Sequence, residues 1–173
     1  METRPTQDRI KETLFNILHT DLLGCLFLDL FAGSGAIGIE ALSRGAKKAW
    51  FIENNPKAVA MIRHNLDFTG LSDRGEIIAS DVIQGLSMLK EPEHPVDFIF
   101  MDPPYRQDHE KQVLEYLSRR IRDGSCRYVD SYTRIVTEAA LDTNFDYLPS
   151  LGFEACRYKR YKTSQHVFIR LCE

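Results

Sequence analysis

Short apolar runs alternate with amphipathic stretches along this chain, and a glycine-rich turn joins the first such pair. That alternation limits the possible folds more than any other feature. Cys25 to Leu30 reads as a buried strand, and about Ala36 to Arg44 as the helix that follows it. Ala49 to Ile52, Ile77 to Ser80, Phe98 to Met101 and Tyr132 to Thr137 read as four more strands. An amphipathic helix from about Asp8 to His19 opens the pattern. Another helix starts at Asn55 and Pro56, carries a stripe of Val59, Ile62 and Leu66, and stops at Gly70. Asp81 is placed to cap a short helix, and Val113, Leu114, Leu117 and Ile121 mark a further one. Strands joined by helical crossovers lie parallel, with helices on both faces of the sheet. After Gly152 two runs, about Phe153 to Tyr161 and Gln165 to Leu171, predict an antiparallel hairpin at one sheet edge. The expected fold is α/β and Rossmann-like, a mostly parallel sheet with a C-terminal antiparallel hairpin. The length of 173 residues, 43% of them hydrophobic, suits one domain over 1–173. Within it, 1–20 is an N-terminal helix segment and 152–173 the hairpin.

In such sheets a ligand sits beyond the carboxyl ends of the strands. Gly33, Gly35 and Gly38 form a G-x-G-x-x-G between the first strand and its helix. That is a tight turn whose backbone can approach a ligand closely. The glycines alone do not separate a nicotinamide cofactor from S-adenosylmethionine. The acids do: Asp29, Glu53, Asp81 and Asp102 each stand at the end of a successive strand. A pyrophosphate is repelled by an Asp against the turn, whereas S-adenosylmethionine carries an ammonium and a sulfonium. Glu53 is placed for the ribose hydroxyls and Asp81 for the adenine amino group.

Asp102-Pro103-Pro104-Tyr105 follows the fourth strand. Two prolines fix the backbone and remove two N–H donors. The turn then offers acceptors, the Asp102 carboxylate and the Pro103 carbonyl, which suit a substrate presenting an NH₂ group. Two acceptors on its hydrogens aim the nitrogen lone pair and stabilise the charge that develops on it. Tyr105 supplies a flat face for an extruded base. Arg157, Lys159, Arg160 and Lys162, interleaved with Tyr158 and Tyr161, read either as phosphate contacts or as a charged edge that resists aggregation.

Other classes are disfavoured. A net charge of −3 gives no long-range pull on a polyanion, so nucleic-acid binding needs a local basic patch. Cys25, Cys126, Cys156 and Cys172 lack metal-ligand spacing and fit a reducing cytoplasm. The five histidines show no ligand spacing and read as surface or packing residues, so no metal is expected. No apolar stretch is long enough for a membrane span. Ser34 is not in a G-x-S-x-G nucleophile elbow.

The opening RPTQDRIKETLFNIL, then DLFAGSGAIGIEALSRGA, then MDPPY, together resemble the RsmD-type methyltransferases, with the opening segment the most specific part. The resemblance implies S-adenosylmethionine as cofactor and the N2 amine of a guanine in small-subunit ribosomal RNA as target. It implies cofactor contacts from Thr6, Asp29, Phe31, Ala32, Gly33, Ser34, Gly35, Glu53, Asn54, Asp81 and Val82. It implies catalysis at Asp102, Pro103, Pro104 and Tyr105. The partner is then small-subunit ribosomal RNA or the 30S particle, met in the cytoplasm by a monomer. Family members carry a basic, Gly-rich arm before this signature, where here only Met1, Glu2 and Thr3 stand. An amino methyltransferase acting on DNA adenine or cytosine is the second enzymatic reading. A cofactor-binding RNA assembly factor is the reading from a different class.

Overall fold

A computed structural model describes residues 4–90 and 92–172, with side chains from residue 7 onward. Seven strands form one sheet: β1 (Leu26–Leu30), β2 (Lys48–Glu53), β3 (Gly75–Ala79), β4 (Phe98–Met101), β5 (Arg134–Ala140), β6 (Phe153–Arg160) and β7 (Ser164–Leu171). Their order is β3-β2-β1-β4-β5-β7-β6. The first five are parallel, and β7 runs antiparallel between β5 and β6. The hairpin therefore lies at the sheet edge as expected, with its second arm innermost.

Five helices cover the sheet: α1 (Arg4–Leu18), α2 (Ala36–Ser43), α3 (Pro56–Thr69), α4 (Val82–Met88) and α5 (His109–Arg122). One apolar layer joins Leu14, Phe15 and Leu18 of α1, Leu42 of α2 and Ile62 of α3 to Phe27, Phe51 and Phe98 of the strands. The other joins Leu86 of α4 and Val113, Leu114 and Leu117 of α5 to Leu28, Ile52, Ile99 and Ile135. The alternation of strand side chains between these layers is the period of two that makes both faces apolar. Asn55 caps α3 as the sequence predicts, its Oδ1 accepting from the Lys57 and Ala58 amides, and Gly70 ends it at φ 68°.

Several boundaries differ from expectation, most of all in α1 and β5. α1 begins at Arg4 rather than near Asp8, because a proline in the first turn loses only an N–H that has no helical partner there. β5 begins at Arg134 rather than Tyr132, because the Asp130 carboxylate accepts from the Tyr132 and Thr133 amides and draws those residues into a turn. The strand then runs past Thr137 to Ala140, since β7 supplies pairing up to Ala140↔Ser164. Among the described residues no helix is long and apolar enough to cross a membrane.

Candidate active site

The strand order reverses between β1 and β4, and a cleft of about 910 Å³ opens beyond their carboxyl ends. Its floor begins with the β1 turn. Phe31 is held at φ 61°, a conformation rare for a bulky residue, and its ring meets His109 at 5.7 Å between centroids. The Ala32 amide donates to the Ile52 carbonyl (3.1 Å) and the Ala32 carbonyl accepts from the Gly35 amide (2.7 Å). Gly33 has φ 56°, and a Cβ there would meet nothing within 4 Å, so the backbone faces open cleft. The Ser34 carbonyl accepts from Asn65 Nδ2, which ties the turn to α3.

The acids share this end of the sheet but do different things. Asp29 is buried, and its Oδ2 accepts from the Gly38 amide at 2.9 Å. Burial pushes its carboxyl well above the ordinary range. Asp29 therefore docks the first turn of α2 onto β1 at the cleft's floor. Glu53 accepts from the Gly33 amide through one oxygen and from the Asn55 amide through the other, both at 2.8 Å. Each oxygen keeps a further lone pair, and both bonds fix the carboxylate beside the glycine turn. Asp81 caps α4 through Oδ1, accepting from the Gln84 amide at 3.1 Å. Asn54, Val82, Asp29, Glu53 and Asp81 all line the cleft. Gly35 does not: it opens α2 at φ 76° with its open side against Ile62. The Thr6 side chain lies outside the described residues.

Across the cleft stands the tetrapeptide. Asp102, Pro103, Pro104 and Tyr105 all line it. Pro103 is buried, while Asp102 and Tyr105 are exposed to the cleft. The protein packed around Asp102 and the charge of Glu138 push its carboxyl up to about 7. The loop after it holds Arg106 at φ 62° and Asp108 at φ 53° before α5 starts.

Sequence reasoning missed two residues here. Glu138 on β5 accepts from the Tyr105 hydroxyl at 2.8 Å. His166 on β7 is buried, with Nε2 3.4 Å from the second Glu138 oxygen and Nδ1 3.0 Å from the Tyr161 hydroxyl. Burial raises the Glu138 carboxyl, but the His166 ring and the Tyr105 and Ser164 hydroxyls outweigh it and hold it below its ordinary value. A signal for Glu138 existed: it is one more acid at a strand's carboxyl end. His166 had none; it packs against Phe100 and Tyr161, and His109 packs against Phe31, in line with reading the histidines as surface or packing residues.

The basic hairpin is divided by its register. Lys159 pairs with His166 and Arg157 with Phe168, which places both on the face that carries Glu138. Arg160 pairs with Gln165, on the opposite face, and Lys162 lies in the turn. The bulge between Ala155 and Arg157 sets this phase.

The family model described as "Conserved hypothetical protein 95" matches residues 1–167. The chain belongs to that family. The resemblance to RsmD-type proteins read from the three sequence motifs is met by its relatives. The Ribosomal RNA small subunit methyltransferase D of Haemophilus influenzae is 39% identical over 74% of this chain and 67% of its own length. The Escherichia coli protein of the same name is 35% identical over 74% of this chain and 64% of its own. The chain thus spans about two thirds of these relatives. A crystal structure from Haemophilus influenzae superposes with a TM-score of 0.78 at 28% identity, covering 98% of this chain and all of that one. The fold is the Rossmann-like α/β arrangement expected of the family.

Proposed function

We propose that this chain is an S-adenosylmethionine-dependent methyltransferase acting on the N2 amine of a guanine in small-subunit ribosomal RNA. One observation carries the reading: Asp102-Pro103-Pro104-Tyr105 opens on the same cleft as the Gly33 turn and Glu53. The cofactor suits the residues present. The cleft is lined by carboxylates, which attract a cation, and the open side of Gly33 leaves room against the backbone. Glu53, Asp81 and the turn from Phe31 to Ser34 would hold it. When bound, it supplies an electrophilic methyl group.

The rest of the chemistry belongs to the chain. An exocyclic amine is a poor nucleophile because its lone pair is delocalised into the ring. Asp102 and the Pro103 carbonyl accept its two hydrogens and aim that lone pair into the cleft. The Asp102 carboxylate stabilises the positive charge developing on nitrogen. No strong base is required, since the amine becomes acidic only after it is methylated. Tyr105 stacks on the base. Arg157 and Lys159 meet backbone phosphates beside the cleft. One copy of the chain does this in the cytoplasm, on free RNA or on the assembling particle.

The test is methyl transfer from labelled S-adenosylmethionine to small-subunit RNA, small-subunit particles and DNA in parallel. Label in the ribosomal substrates and none in DNA is the expected outcome; label in DNA alone defeats the reading. Three further results follow. Glu53→Ala should weaken S-adenosylmethionine binding by about 1–3 kcal/mol, the scale of lost charge-assisted hydrogen bonds, measured by calorimetry. Arg157→Ala with Lys159→Ala should flatten the salt dependence of RNA binding by about 0.7–0.9 per lost phosphate contact, whereas Arg160→Ala, on the other face, should leave it steep. The third concerns pH. Asp102 acts as a carboxylate, and its carboxyl sits raised to about 7. The active form therefore fills as pH rises through 7, and kcat/KM should climb below that pH and level off above it.

A further inference from the structure

The reaction proposed above assigns no task to Glu138, yet Glu138 lines the cleft next to Asp102 and is anchored more firmly than a surface acid. The Tyr105 hydroxyl donates to one oxygen at 2.8 Å, and His166 Nε2 stands 3.4 Å from the other. Apart from this Glu138 oxygen, His166 Nε2 has no partner among the described residues, and the ring is 1% exposed. The Glu138 side chain itself stays 17% exposed. A carboxylate has about four lone-pair positions, so acceptor capacity remains toward the cleft. The base-facing groups here, Asp102, the Pro103 carbonyl and Glu138, are all acceptors, since the Tyr105 hydroxyl is spent on Glu138.

Nucleobases differ in what flanks the exocyclic amine. Beside the guanine N2 amine lies the ring N1–H, a donor. Beside the adenine N6 amine lies N1, and beside the cytosine N4 amine lies N3, both acceptors. A charged acceptor next to the amine-holding pair therefore fits guanine and sets its lone pair against that of adenine or cytosine. The geometry points to Glu138 as the residue that selects the target base, accepting the guanine N1–H while Asp102 and the Pro103 carbonyl hold the N2 amine. This rests on the proposed reaction at that amine. Tyr105 and His166 act through Glu138 as positioning residues. Rejection arises because the wrong base leaves buried polar groups unpaired, the strongest form of discrimination a site can build.

The test is direct binding of GMP, 1-methylguanosine monophosphate and AMP by NMR titration, with S-adenosylhomocysteine present. The unaltered chain should bind GMP about tenfold or more tighter than either competitor, the scale of one unmatched polar contact. Glu138→Gln keeps the shape but offers an amide N–H to adenine N1. In that variant the GMP-to-AMP ratio should fall to within about threefold. S-adenosylhomocysteine affinity and the thermal midpoint should hold. Glu138→Ala should admit 1-methylguanosine monophosphate as well as GMP. Equal binding of GMP and AMP by the unaltered chain, no binding of either, or an unchanged ratio in folded Glu138→Gln overturns the assignment. The two readings fail separately. Guanine methylation with an unchanged ratio leaves the reaction standing and removes only Glu138. Methylation confined to adenine or cytosine defeats the reaction itself.

Discussion

Asp102→Ala should lower single-turnover methyl transfer by a factor of about 10² or more, the scale of one preorganised electrostatic contact. S-adenosylmethionine binding should change far less, because the Gly33 turn and Glu53 lie across the cleft on β1 and β2. Asp102 faces the cleft from the end of β4, where Pro103 beside it is buried and fixed. In the proposed reaction its loss removes both a hydrogen-bond acceptor and the charge that offsets the developing ammonium. Tyr105 divides into two parts. In the proposed reaction its ring provides the stacking surface, so Tyr105→Ala should lose about 1–3 kcal/mol of base binding. Its hydroxyl holds Glu138, so Tyr105→Phe should keep turnover on the ribosomal substrate while loosening the choice of base. A dead Tyr105→Phe would give the phenol a chemical role that this account denies it.

Gly38→Val should produce the largest loss of stability of any single change near the cleft. An ideal Cβ at this position would lie 2.4 Å from Phe51 Cε1, 2.8 Å from its Cζ and 3.1 Å from Asp29 Oδ2. The Phe51 ring is fully buried in the sheet's first apolar layer and has nowhere to retreat. Overpacking of this kind costs roughly 3 kcal/mol, and forcing α2 outward also breaks the bond from the Gly38 amide to Asp29. Denaturant titration should show a lower midpoint with an unchanged slope. Because α2 begins directly after the glycine turn, the surviving folded protein should also bind S-adenosylmethionine more weakly. A midpoint like that of the unaltered chain would mean that α2 can lift from β1 without penalty.

The order of strands and helices was legible because each apolar run was short and each helix carried its own punctuation. Asn55, Pro56 and Gly70 bound one helix, and Asp81 starts another. The cleft was legible because parallel strands deliver their carboxyl ends to one side, so acids scattered from Asp29 to Asp102 converge. What each acid does there was not legible. Asp29 occupies a strand-end position like Glu53, yet it is buried with one oxygen held by the Gly38 amide of α2, whereas Glu53 holds the Gly33 amide of the turn. That difference depends on how closely α2 packs, which a glycine permits but does not announce. The pairing of Glu138 with Tyr105 and His166 joins β5, the β4 loop and β7, segments far apart in the chain. Only the register of the antiparallel arm brings them together. Strand alternation sends the neighbours Lys159 and Arg160 to opposite faces, and the bulge before them sets which one shares the face of Glu138, where composition alone reads one basic patch.

In the proposed reaction this cleft places a methyl donor beside an amine held by Asp102 and the Pro103 carbonyl, and the amine is guanine N2. The most direct measurement is the identity of the product nucleoside. Small-subunit RNA or particles are incubated with the chain and labelled S-adenosylmethionine, digested to nucleosides, and resolved by mass spectrometry. N2-methylguanosine is the expected labelled product, and it should disappear when Asp102→Ala replaces the unaltered chain. Label on an adenine or cytosine amine, or equal N2-methylguanosine from Asp102→Ala, would contradict the proposed reaction.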